Sequence, residues 1–131
     1  MSQLTEHYRQ LLGLDASWEV SQVSLSMEEK RVEIHLSHRG GAVRCPDCDA
    51  ECTIADHAPE RTWRHLDTMQ FETLLRARTP RSKCQACGVK TTAVPWAGKH
   101  SRFTLMFEAF AIEVLQACGN IQGAALLLGL D

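Results

Sequence analysis

Cys45-Pro-Asp-Cys48 and Cys84-Gln-Ala-Cys87 are two matching pairs of thiols, separated by the 35 residues 49–83. Each pair brings two sulfurs within reach of one ion, and the spacer is long enough to fold back and join the pairs. Structural zinc is held tetrahedrally by four soft ligands, which two such knuckles supply. Gly88, directly after the second pair, permits the tight backbone turn a knuckle needs, and Pro46 stiffens the first. The expected cofactor is one zinc ion on Cys45, Cys48, Cys84 and Cys87.

Other uses of paired cysteines fit less well. Two disulfides require an oxidising compartment. The polar start Met1-Ser2-Gln3-Leu4 lacks the charged, apolar and small-residue regions of a secretion signal. A cytoplasmic location is therefore expected, where paired thiols serve metals. A thioredoxin-like redox pair needs one Cys-x-x-Cys near a helix start, and two copies suit it poorly. An iron centre of the rubredoxin kind shares the ligand spacing and stays open, although rubredoxins are acidic and this region is basic. Cys52 is an alternate ligand or a bystander, and Cys118 reads as a small buried hydrophobe on a helix. The six histidines form no second metal pattern.

Charge is distributed unevenly. The chain has 131 residues and a net charge of −2. Residues 1–60 carry 5 basic and 11 acidic side chains, residues 61–102 carry 9 basic and 2 acidic, and residues 103–131 carry 3 acidic and none basic. The middle segment, at +7, is a candidate phosphate-binding surface, because Lys and Arg neutralise phosphates and release counterions. Arg76, Arg78, Arg81 and Lys83 are the foremost candidates, with Arg61 and Arg64 as neighbours. The competing reading is a solvated face balanced by the acidic N-terminal part. Trp63 and Trp96 offer stacking surfaces, but core packing is their simpler role. A hydrophobic content of 44% supports a core, and no apolar run approaches the length of a membrane span.

The elements that must position these groups can be read from periodicity. Residues 2–12 form a short helix, with Leu4, Tyr8, Leu11 and Leu12 at helical spacing and Gly13 ending it. Val23, Leu25 and Met27 alternate with polar residues, Glu28-Glu29 turns, and Val32, Ile34 and Leu36 return as a second strand. Strands are expected at 61–66 and 70–79, turning at Asp67-Thr68, and a short one at 91–94. The acidic residues Asp47, Asp49, Glu51 and Asp56 read as a solvated loop. Ser101 is the expected N-cap of a helix carrying Phe103, Phe107, Phe110, Val114, Leu115 and Cys118. Gly119 ends that helix, Asn120 caps the next, Gly129 stops it, and Asp131 stands where a third would begin. The fold class is α+β: a zinc-ribbon-like antiparallel β domain with an N-terminal helix over residues 1–98, then a helical segment over residues 99–131. A long helix, a Gly-containing turn and a short Ala-rich helix open a helix-turn-helix, or pack as a plain helical hairpin.

Several ordered stretches carry a resemblance. Cys45-Pro-Asp-Cys48, Arg61-Thr-Trp-Arg-His-Leu-Asp67, Arg76-Ala-Arg-Thr-Pro-Arg-Ser-Lys-Cys84-Gln-Ala-Cys87-Gly-Val-Lys90, Val94-Pro-Trp-Ala97 and His100-Ser-Arg-Phe-Thr104 resemble the N-terminal region of bacterial insertion-sequence transposases of the ISL-three type. The resemblance implies a zinc-binding domain, a helix-turn-helix, and beyond them a catalytic domain of the DDE class with an acidic metal-binding triad. It implies that the four cysteines bind zinc and that this region binds the ends of a mobile element. The chain leaves no room for the catalytic core, so no catalytic residue and no catalysis by this chain alone are expected. A fragment of a longer protein or a truncated gene product would account for the length.

Two functions follow as expectations. The first is a DNA-binding module recognising terminal inverted repeats on double-stranded DNA, with no membrane partner. The second is a zinc-ribbon interaction or dimerisation module without DNA affinity, its homodimer built on the apolar helix face. An enzyme using Cys52 with His57 or His65 lacks a supporting motif.

Overall fold

Alternating side chains build most of the structure, a computed structural model that describes residues 3–130. The helix α1 (Gln3–Leu11) ends where Gly13 takes a left-handed φ of 65°, so Ser2 lies outside the described residues. Tyr8 of α1 is buried, and its hydroxyl lies 3.2 Å from Thr68 Oγ1. The strands β1 (Trp18–Ser26) and β2 (Arg31–His38) form the expected antiparallel hairpin, with Leu25 opposite Val32.

After β2 the chain alternates between two sheets. Strands β3 (Ala42–Arg44) and β4 (Glu51–His57) form one hairpin, and β5 (Arg61–Thr68) and β6 (Phe71–Ala77) form a second. Strands β7 (Pro80–Cys84) and β8 (Gly88–Thr91) form a third. The first and last of these join through β4 and β7 into a sheet ordered β3-β4-β7-β8. The other sheet is ordered β1-β2-β6-β5, and its central pair β2–β6 is parallel. Ile34 and Leu75 face each other there, both fully buried. The hairpin β5–β6 is thus inserted into the four-stranded ribbon that carries the cysteines. The hydrogen bond from the Ala58 amide to the Thr79 carbonyl, 2.8 Å, closes the base of this insertion.

The larger core lies on the β1-β2-β6-β5 sheet. Trp18, Trp63 and Trp96 are buried there in edge-to-face contacts, with ring centroids 4.7 Å apart for Trp18–Trp96 and 5.3 Å for Trp63–Trp96. The tryptophans therefore fill the core. The β5–β6 turn falls at Met69-Gln70, both left-handed (φ 50° and 69°), two residues later than expected. An irregular register between His65 and Thr68 moves the turn along the strand. Glu51 and Asp56 sit on β4 and not in a loop, because β4 pairs with β3 and β7.

Two helices complete the α+β fold. The helix α2 (Leu105–Cys118) is capped by Thr104, not Ser101: the Thr104 hydroxyl accepts from the Phe107 amide. Residues 101–103 are drawn away from the helix by β5, since the Arg64 amide donates to the Arg102 carbonyl and Thr104 N–H donates back to Arg64. Asn120 caps α3 (Ile121–Leu128), accepting from the Gly123 amide at 2.6 Å, and Gly119 and Gly129 end their helices in the left-handed region. Asp131 lies outside the described residues. Among the described residues, no helix is long and apolar enough to cross a membrane.

His65 links β5 to the start of α2. Its ring Nδ1 lies 2.8 Å from the Thr104 hydroxyl, and burial lowers its pKa below the usual histidine value. The hydroxyl also accepts from the Phe107 amide and keeps its own proton free to donate to Nδ1 of a neutral ring protonated on Nε2. A lowered folded-state pKa means that the unfolded chain takes up the proton first. Stability is therefore full above the unfolded pKa of about 6.5 and declines as pH falls below it. Urea unfolding between neutral and mildly acidic pH should show a steeper decline in wild type than in His65→Gln. Equal slopes would contradict this role.

Candidate metal centre and nucleic-acid surface

Each cysteine pair sits in a turn of the β3-β4-β7-β8 sheet. Cys45 follows β3, and its knuckle is closed by two 2.9 Å hydrogen bonds, Cys45 N–H to Ala50 and Asp49 N–H to Cys45. Asp49 is left-handed there, with φ 62°. Cys84 ends β7 and stands opposite Gly88, whose φ of 81° lets β8 turn back beneath the second knuckle. Val43, Cys45, Cys52 and Cys84 are buried together, with Ile54 and Cys87 packed against them. This second core is far smaller than the first.

The four sulfurs of Cys45, Cys48, Cys84 and Cys87 lie within 4.8 Å of one another, and Cys48 Sγ is 3.6 Å from Cys84 Sγ. Zinc–sulfur bonds of about 2.3 Å in a tetrahedron imply sulfur separations of about 3.8 Å, so the donor set fits a zinc ion. Its electrostatics point the same way. Backbone amides of Cys87 and Ala86, then the Cys48 thiol, donate to the Cys84 sulfur and hold its pKa down to about 6. Cys87 is pushed up to about 12, chiefly by the Cys48 and Cys45 side chains. One thiolate is favoured while Cys48 and Cys87 resist ionising, which is the condition a dication relieves. Bound zinc would supply a cross-link between the knuckles and no reaction chemistry. Cys52 stands outside the four-sulfur group, its thiol donating to the Ala50 carbonyl at 3.3 Å. Cys118 is half-buried in the last turn of α2.

The six basic residues read from sequence occupy different settings. Arg76 reaches Glu33 at 2.6 Å and Glu60 at 3.7 Å. Arg81 pairs with Asp56 at 2.8 Å. Arg64 reaches Asp67 at 3.2 Å, donates to the Leu128 carbonyl at 2.9 Å, and lies over the Phe107 ring, which fastens both helices to β5. Among the described residues, Arg61 and Arg78 form no ion pair. Arg61 lies 4.7 Å over the Trp63 ring and donates to the Ser101 carbonyl, while Arg78 donates to the Ala58 and His57 carbonyls. Lys83 is exposed on β7 and forms no ion pair among the described residues. Lys99 and Arg102, in the same basic segment, are exposed in the loop before α2.

Comparison with known proteins gives these features a family. Residues 41–87 match the zinc-finger of transposase IS204/IS1001/IS1096/IS1165. Residues 92–131 match the helix-turn-helix domain of transposase family ISL3. Both are non-catalytic parts of transposases. Two curated relatives, each described as a transposase for insertion sequence element IS1557, come from Mycobacterium tuberculosis strains CDC 1551 / Oshkosh and ATCC 25618 / H37Rv. Each is 30% identical over 119 residues, covering 86% of this chain and 27% of the relative. The chain thus spans about a quarter of the length of these relatives. No solved structure matches it at a comparable level. With the zinc-ribbon and helix-turn-helix domains adjoining in one chain, this protein belongs to the ISL3 transposase family, in its N-terminal region.

Proposed function

We propose that this chain is the DNA-binding N-terminal module of a transposase and recognises the terminal inverted repeats of its mobile element in the cytoplasm. The observation that carries the reading is the adjacency of a zinc-ribbon match to a helix-turn-helix match of one transposase family. In this reading one zinc ion on Cys45, Cys48, Cys84 and Cys87 holds the ribbon. Basic side chains of the segment 61–102 meet phosphates, and the capped α2–α3 pair begins the element that reads bases. Residues 1–98 then form the zinc-held β domain, and residues 99–131 open the helix-turn-helix.

The test is binding of the zinc-loaded chain to duplex DNA bearing the element's terminal repeat, against a scrambled duplex, over a salt series. The expected result is tighter binding to the repeat, with log affinity falling against log salt by about 0.9 per phosphate contacted. Absent or salt-independent binding would refute the proposal.

A second reading rests on one specific observation. Only Phe107 of α2 is buried, while Leu105, Met106, Phe110, Ile112 and Leu115 are all more than 40% exposed. A helix apolar on every side is ordinarily covered, and a second copy of the chain is the covering we propose. Sedimentation of the same samples reads this directly: a concentration-dependent dimer with no DNA affinity would favour self-association as the primary role.

A further inference from the structure

We infer that the phosphate-gripping surface of this chain is the loop 99–102 together with Arg61 on the adjoining strand, and not the ion-paired Arg76 and Arg81. The inference rests on the DNA-binding reading above and locates where it acts. A cation attracts phosphate in proportion to the charge it still carries, so a guanidinium already paired with a carboxylate offers little net field. Arg76 and Arg81, two of the four foremost candidates by sequence, are paired in this way, and Arg64 is consumed in fastening the helices.

The loop before α2 is built differently. Arg61 is oriented by the face of Trp63 and by the Ser101 carbonyl, and Arg102 lies 5.8 Å from the Phe103 ring. Rings and carbonyls position a guanidinium without cancelling its charge. Lys99, exposed to solvent, adds a third cation, and among the described residues none of the three forms an ion pair. Arg78 follows Ala77, the register partner of Arg61, just beyond the end of β6, and donates to the His57 and Ala58 carbonyls.

The loop is also held in place. Ser101 N–H donates to the Gly98 carbonyl, Phe103 N–H to the Ser101 hydroxyl, and Arg64 N–H to the Arg102 carbonyl at 2.8 Å. A backbone held in this way loses little entropy when its cations meet phosphates. The loop leads directly into α2, so phosphates bound there would set the position of the helix-turn-helix on the duplex.

The test compares wild type, the double variant Lys99→Ala/Arg102→Ala and Arg81→Ala, using a fluorescently labelled mixed-sequence DNA duplex across a salt series. Both substituted sites are at the surface, and unchanged zinc content and circular dichroism confirm folding. The double variant should lower the magnitude of the log–log salt slope by about 2, since each phosphate contact contributes about 0.9. Arg81→Ala should leave the slope nearly unchanged. Wild-type binding whose slope survives the double substitution would overturn this surface and leave the DNA reading standing. So would a larger loss in Arg81→Ala. No salt-dependent wild-type binding would overturn both.

Discussion

Cys84→Ser should reduce bound zinc from one equivalent to nearly none and unfold the β3-β4-β7-β8 sheet. The ribbon's own core is little more than Val43, Cys52, Ile54 and the ligand cysteines themselves, too small to stand unaided. Structural zinc supplies about 10–16 kcal/mol in isolated zinc-finger peptides at neutral pH, and that energy is folding energy. Cys84 is the critical choice, because its sulfur receives the Cys87 and Ala86 amides and it ends β7 where the sheet turns. Elemental analysis and circular dichroism read the outcome. Cys52→Ser is the control: its sulfur lies outside the group of four and should leave the zinc in place. A Cys84→Ser protein that kept full zinc and its β signal would defeat the tetrathiolate assignment.

Trp63→Ala should be the most damaging substitution in the larger core. Trp63 has no solvent exposure and meets Trp96 edge to face. Removing a buried aromatic of this size costs about 3–5 kcal/mol, a large share of the roughly 5–15 kcal/mol that holds a typical domain together. The same change removes the ring over which Arg61 is held. Urea unfolding of the zinc-loaded protein measures the loss, and a decrease below about 1 kcal/mol would show that the tryptophan cluster is dispensable.

How far the sequence reaches depends on what stabilises each part. Hairpins β1–β2 and β5–β6 were legible because one face of β2 and of β6 is buried, which writes a period of two into Val32-Ile34-Leu36 and Thr73-Leu75-Ala77. By contrast, Leu25 of β1 and Met27 just beyond it are exposed. Strands β3, β4 and β7 escaped the same reasoning. Strand β3 has three residues, β4 exposes all but Cys52 and Ile54, and β7 opens with Pro80 and carries Arg81 and Lys83. Strands β3 and β4 lack a periodic buried apolar face. Strand β7, although its Pro80, Ser82 and Cys84 are buried in alternation, puts a proline and a serine where a strand signal needs apolar residues. The parallel β2–β6 contact joins distant segments and has no local signature.

The sites divide in a similar way. Thiol spacing is local, so the group of four cysteines could be read directly. The state of each arginine could not, because Glu33 and Asp56 reach Arg76 and Arg81 only once the sheets are assembled. Thr104 displaced Ser101 as the cap for a related reason: β5 claims residues 102–104 as a bridge before the helix can begin.

The insertion of β5–β6 between the two knuckles makes the ribbon a discontinuous module. Deleting residues 59–78 and joining the flanks by a short turn would bridge a gap already spanned by one hydrogen bond, leaving a minimal metal-binding miniprotein. Conversely, a cut within residues 49–60 separates the cysteine pairs and also severs β5 and β6 of the tryptophan-rich sheet from β1 and β2. Proteolysis within residues 49–60 should therefore disable both halves together, and a stretch of this architecture can be exchanged between proteins only as a whole.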